Sequence, residues 1–167
     1  MTIAQDIITL ASEHDLMIAT AESCTGGMIA AALTDIAGSS VAVDRGFVTY
    51  SNAAKMQELG VTAASLEAHG AVSMAVVLGM AEGAARAVDH PRALAVSVSG
   101  VAGPGGGSKD KPVGLVWFGL CRRQGEAMAS RAVEQRFSGD RAAVRAEATR
   151  YALEMLKSEL LNASLIA

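Results

Sequence analysis

The chain has 167 residues, of which 51% are hydrophobic and 19% charged, and its formal net charge is −3. That length suits one domain with a substantial core, so residues 1–167 are expected to carry a single active site or binding surface. The acidic balance counts against a dedicated nucleic-acid binder, and the more basic carboxy-terminal third reads as a solvated helix face.

No apolar run approaches the roughly 20 residues of a membrane span. Thr2, Gln5 and Asp6 interrupt the first apolar residues, unlike a signal peptide, and a cytoplasmic location is expected. Two cysteines, Cys24 and Cys121, make no disulfide framework and belong to no spaced Cys/His set, so neither metal nor cofactor is expected. The apolar excess favours a homo-oligomer.

Thr2 stands three residues before Gln5, as in a capping box. Ile3, Ile7, Leu10 and Ala11 follow at helical spacing and predict a helix ending near His14. Leu16 to Ala21 alternates like a strand and runs into Ala21-Glu22-Ser23-Cys24-Thr25-Gly26-Gly27. Met28 to Ile36 is apolar nearly all round, which predicts a buried helix stopped at Gly38. Gly46 to Tyr50 has strand composition, and Ser51-Asn52 supplies a cap for a helix from Ala53 to Leu59. Ser73 caps a further helix to about Val88, with Met74, Val77, Leu78, Ala81 and Ala85 on one face and His90-Pro91 closing it.

Ala93 to Ser99 alternates as a strand, and Val113 to Leu120 suits a strand covered on both faces. Gly100 to Gly107 between them is too rich in glycine for either regular structure. Ala127 to Arg136 reads as a polar edge strand, and Ser138 as the cap of a last helix carrying Val144, Ala148, Tyr151, Ala152, Met155 and Leu156. This order predicts a single-domain three-layer α/β/α sandwich with a mixed, mostly parallel sheet. The sheet is mixed because the strands around Leu115 and Val133 have no helix between them.

In an open α/β sheet, ligands occupy the crevice beyond the carboxyl ends of strands. Three segments have the composition for that place. In Glu22 to Gly27, two glycines admit a close ligand and free amides can hold an anion or a developing oxyanion. Ser23 is thus a candidate nucleophile and Thr25, Gly26 and Gly27 candidate substrate contacts; the plainer reading is a helix cap. In Ser99 to Gly107, the amides of Gly100, Gly103, Gly105 and Gly106 can surround a phosphate, with a hydroxyl added by Ser99 or Ser108, or the segment is a flexible turn. In the third segment, Phe137 to Arg141, Arg141 shares a helix face with Arg145 and reaches either a substrate phosphate or Asp140 and Glu147.

A serine nucleophile needs a base, and His14, His69 and His90 fall at element ends unrelated to these turns. Lys55 fills the role if burial lowers its pKa, with Tyr50, at the preceding strand end, to orient or relay the proton. Tyr50 and Lys55 are five positions apart rather than the four of a short-chain dehydrogenase, and Gly26 stands where an S-x-x-K motif needs lysine.

Several of these segments in order resemble the CinA carboxy-terminal domain family, over nearly the whole chain. They are Thr20-Ala21-Glu22-Ser23-Cys24-Thr25-Gly26-Gly27, Arg45-Gly46-Phe47-Val48-Thr49-Tyr50-Ser51-Asn52 with Lys55, and His69-Gly70-Ala71-Val72-Ser73. Ser99-Gly100-Val101-Ala102-Gly103-Pro104 with Gly106-Gly107, and Lys111-Pro112-Val113-Gly114, complete the set. The resemblance implies a stand-alone deamidase that hydrolyses the carboxamide of nicotinamide mononucleotide to nicotinate mononucleotide and ammonia, in pyridine-nucleotide recycling. It also implies that Ser23, Tyr50 and Lys55 occupy the family's catalytic positions.

On that footing Lys55 takes the Ser23 proton, directly or through Tyr50, and amides near Thr25 to Gly27 hold the oxyanion. The amino-terminal domain of many relatives, tied to nucleotide pyrophosphatase activity, is not expected here. Two other readings are a non-catalytic nucleotide-binding or regulatory domain of the competence/damage-inducible type, and an interaction module for DNA uptake or damage. The expected partner is a small-molecule nucleotide, with neither nucleic acid nor membrane.

Overall fold

The computed structural model describes residues 1–163. Thr2 Oγ1 accepts the Gln5 N–H at 3.2 Å and opens α1 (Ile3–Glu13), whose Ala4, Ile7, Ile8 and Ala11 are buried. β1 (Met17–Glu22), α2 (Met28–Thr34), a 3₁₀ turn at Ser39–Val41 and β2 (Val43–Val48) follow. Ser51, Thr62 and Ser73 each accept a backbone N–H and start α3 (Asn52–Leu59), α4 (Ala63–His69) and α5 (Met74–Ala87). β3 (Arg92–Gly100) leads through a long loop to the hairpin of β4 (Leu115–Gln124) and β5 (Ala127–Arg136), and α6 (Arg141–Ala163) follows.

The strands form one mixed sheet in the order β2-β1-β3-β4-β5. β1 pairs in parallel with β2 and β3, and the hairpin adds the antiparallel pairs β3–β4 and β4–β5. Alternation along the strands sorts their side chains between two helical layers. Ile18, Val96, Val98, Phe118 and Leu120 face α1, α2 and α6, whereas Ala19, Ala21, Ala93, Ala95 and Cys121 face α3, α4 and α5. The second face is built of small residues, so α5 lies close to the sheet. A Cβ on Gly119 would stand 2.4 Å from the Val77 carbonyl oxygen, to which Ser97 Oγ also donates at 2.6 Å.

Several elements differ from the sequence expectation for local reasons. α2 is shorter and one-sided: Ile29 and Leu33 are buried, Ala31 is exposed, and Thr34 Oγ1 donates back to Ala30 O at 2.8 Å as the helix ends. Gly38 opens the 3₁₀ turn instead of stopping α2. β2 begins at Val43 and stops at Val48, which leaves Tyr50 beyond the strand. β4 runs from Leu115 rather than Val113 and on to Gln124, because its pairing with β5 carries it past Leu120. Asp140, not Ser138, caps α6, with its Oδ1 accepting the Ala143 N–H at 2.9 Å. Apolar periodicity predicts no helix at 63–69, and α4 buries none of its residues; its local signals are the Thr62 cap at the start and Gly70 (φ +71°) at the end.

Candidate active site

The three parallel strands end together, and β1 has β2 on one side and β3 on the other, which opens a crevice at their carboxyl ends. The last residues of β1 alternate there, so Glu22 turns toward α2 and Ser23 toward α3. Glu22 is fully buried. Its carboxylate accepts Thr25 Oγ1 at 2.7 Å, the Ile29 and Ala30 amides at 2.9 and 3.0 Å, and Thr20 Oγ1 at 3.4 Å. It thereby caps α2 from within, where Gly27 (φ +98°) offers no side chain. Arg145 braces the same turn from α6, donating to the carbonyls of Cys24 at 3.0 Å and Thr25 at 3.3 Å.

Lys55 comes off α3 and is only 1% exposed. Its Nζ lies 3.0 Å from Ser23 Oγ, 2.8 Å from Thr49 O and 3.4 Å from Tyr50 O, all neutral oxygens. Burial pushes its pKa below the ordinary 10.5, with the Cys24 thiol acting weakly in the other direction. Burial thus favours the neutral amine of a lysine that touches a serine hydroxyl, the placement that a general base requires. Cys24 points into the core beside α1, α2 and α6. Burial raises its thiol to about 11, against the weaker pull of its own and the Gly100 backbone N–H, Arg145 and Lys55, so it stays protonated at neutral pH.

Ser23, Tyr50, Lys55, Ser99, Gly100 and Arg141 line one cleft of about 190 Å³, with Ala71, Val72 and Ala102 among its other walls. Tyr50 reaches Lys55 through its carbonyl; its hydroxyl accepts Arg141 Nη2 at 3.0 Å. Lys55 and Ser23 are thus in direct contact without a tyrosine relay. Arg141 Nη1 donates to Gly103 O at 2.9 Å, tying the β3–β4 loop to Tyr50. Arg141 and Arg145 also border an adjoining hollow of about 470 Å³ at the start of α6, lined by Ala102, Pro104 and Val113 on its other side.

Thr25, Gly26, Gly27, Gly103, Gly105 and Gly106 do not line the serine cleft. Thr25 is fully buried against Glu22, Gly26 N–H donates to Ser23 O at 3.1 Å, and Gly27 packs toward Val48. The histidines lie elsewhere: His14 follows α1, His69 ends α4, and His90 engages the Arg92 backbone and Asp15. Glu22 and Ala71-Val72 lie within segments that the sequence marked, but neither was assigned a role there. The signal for Glu22 was a carboxylate at a strand end just before a helix that lacks its own cap.

A buried lysine on a serine hydroxyl, at the carboxyl ends of parallel strands, gives this α/β protein the parts for acyl transfer. The chain belongs to the CinA C-terminal domain family, which matches residues 1–160. It is 54% identical to the nicotinamide-nucleotide amidohydrolase PncC of Escherichia coli (strain K12), over 87% of this chain and 85% of that protein. It is 46% identical to a CinA-like protein of Geobacter sulfurreducens, over 97% of this chain and 38% of that longer one. The crystal structure of the competence/damage inducible protein CihA from Agrobacterium tumefaciens superposes with a TM-score of 0.87 at 49% identity, covering 93% of this chain and 92% of that one.

Among the described residues no helix is long and apolar enough to cross a membrane. No group of three or more His, Cys, Asp or Glu side chains among them is placed to hold a metal ion.

Proposed function

We propose that the protein is a nicotinamide-nucleotide amidohydrolase, converting nicotinamide mononucleotide and water to nicotinate mononucleotide and ammonia. The contact of Lys55 Nζ with Ser23 Oγ carries this reading, and the 54% identity to an enzyme of that name supports it. Neutral Lys55 takes the Ser23 proton as Ser23 attacks the carboxamide carbon. The resulting ammonium then protonates the leaving nitrogen, ammonia departs, and water resolves the acyl-enzyme with Lys55 again as base. Tyr50 fixes Arg141 at the junction of the serine cleft and the adjoining hollow.

That hollow brings the Arg141 and Arg145 guanidinium groups together beside the Asp140 carboxylate that caps α6, and the two guanidinium groups are the charge that would hold the nucleotide's phosphate. On this reading the chain acts as one cytoplasmic domain and self-associates. Ammonia release from nicotinamide mononucleotide, nicotinamide riboside and nicotinamide side by side tests the reading. The mononucleotide should react with much the highest kcat/KM. Equal values for mononucleotide and riboside would remove the phosphate site, and no ammonia from any of them would leave a nucleotide-binding domain without turnover.

A further inference from the structure

We propose that the Ser99 hydroxyl is the hydrogen-bond donor that holds the oxyanion formed when Ser23 attacks the carboxamide. The assignment rests on the amidohydrolase reading and adds a catalytic residue to it. Four amides that follow β1 already have acceptors within the protein. Gly26 N–H donates to Ser23 O and Met28 N–H to Thr25 O. The Ile29 and Ala30 amides at the head of α2 are held by Glu22. That helix end points its positive pole at a resident carboxylate, on the face of the sheet away from Lys55.

Ser99 has the complementary properties. β1 and β3 run parallel in a register that pairs Glu22 with Val98, so Ser99 is the strand neighbour of Ser23, at the roughly 4.8 Å spacing of adjacent strands. Two residues earlier, Ser97 Oγ donates to Val77 O on α5. Alternation therefore turns Ser99 to the α5 face as well, the face on which Ser23 meets Lys55. Ser99 is 1% exposed and lines the cleft, yet its hydroxyl makes no hydrogen bond among the described residues. Buried hydroxyls are ordinarily satisfied, and this one faces the space where the substrate must lie.

The flanks of Ser23 also differ in kind. Lys55 approaches from the β2 side, anchored on Thr49 O, and Ser99 from the β3 side. The leaving nitrogen must face Lys55 to receive its proton, so the carboxamide oxygen turns to Ser99. As the Ser23 Oγ–C bond forms, the Ser23 proton passes to Lys55 Nζ and the C=O π pair moves onto oxygen, which accepts the Ser99 O–H. When the pair returns, the C–N bond breaks, the Lys55 ammonium gives its proton to nitrogen and ammonia leaves. Water repeats the cycle on the acyl ester.

The test compares wild type, Ser99→Ala and Ser99→Thr in ammonia release from nicotinamide mononucleotide, and measures calorimetric binding of the mononucleotide to Ser23→Ala with and without Ser99→Ala. Loss of one oxyanion donor lowers kcat by about 10²–10³-fold. The expected result is that fall for Ser99→Ala with KM within a few fold, recovery of most turnover in Ser99→Thr, and unchanged binding in the Ser23→Ala background. A Ser99→Ala kcat within threefold of wild type overturns the assignment. So does a defect that appears equally in KM and binding, or a threonine variant as slow as alanine. Wild-type protein that releases no ammonia sinks the amidohydrolase reading, and the Ser99 role with it, before any variant is compared.

Discussion

Replacing Glu22 by alanine removes one acceptor from four donors: Thr20 Oγ1, Thr25 Oγ1 and the amides of Ile29 and Ala30. Three of these contacts are 3.0 Å or shorter, and the carboxylate is fully buried, so water cannot take its place without opening the turn. A buried donor left alone costs about 1–3 kcal/mol. The Thr25 hydroxyl can rotate, but the two amides are fixed by α2. We expect Glu22→Ala to lose about 4 kcal/mol, a large part of the 5–15 kcal/mol typical of a domain. Glu22→Gln keeps the shape but sets an amide NH₂ against one of the donors, and should lose about 2 kcal/mol.

Urea unfolding followed by circular dichroism at neutral pH gives both values. Ser23 is the next residue, so ammonia release should show both variants losing kcat more than they raise KM. A Glu22→Ala protein within about 1 kcal/mol of wild type would refute the capping role. Wild-type stability in Glu22→Gln would refute it too, even if the alanine variant fails to fold.

Ser23→Ala should reduce ammonia release to background while Cys24→Ala keeps at least about a third of it, because burial holds the Cys24 thiol up to about 11. An inactive Cys24→Ala, with Ser23→Ala still alkylated at Cys24 by a substrate-like electrophile, would reverse the two roles. Lys55 titrates below its ordinary 10.5 through burial, so kcat/KM should rise with pH through that lowered value and then level off, and Lys55→Met should be inactive. The unfolded chain keeps the Lys55 proton up to 10.5 while the folded chain sheds it earlier. Wild type should therefore gain stability relative to Lys55→Met as pH rises across that window, by about 1.4 kcal/mol per unit of separation; a pH-independent difference would refute this. Arg141→Ala should raise KM roughly tenfold, the worth of one contact of about 1.4 kcal/mol. A fall confined to kcat would show that Arg141 does not bind the ground-state nucleotide.

The element plan was readable from the chain because its signals are local. Thr2, Ser51 and Ser73 cap the helices that follow them within three residues, and the polar edge strand at Ala127 to Arg136 lies where its composition put it. Turn composition likewise drew attention to Ser23, and the lack of a suitable histidine to Lys55. Their 3.0 Å contact, across 32 residues, depends on β2 lying beside β1 and on α3 packing against the sheet face toward which Ser23 alternates.

The same two nonlocal facts moved other residues. Glu22 turned to the opposite face and took the amides at the head of α2. Ser99, read from composition as part of a phosphate loop, came to lie beside the nucleophile through the parallel register of β1 and β3. Composition names the groups that can donate, accept or ionise. Strand order, register and burial decide which of them meet, and which are left with a free hydrogen bond for a substrate.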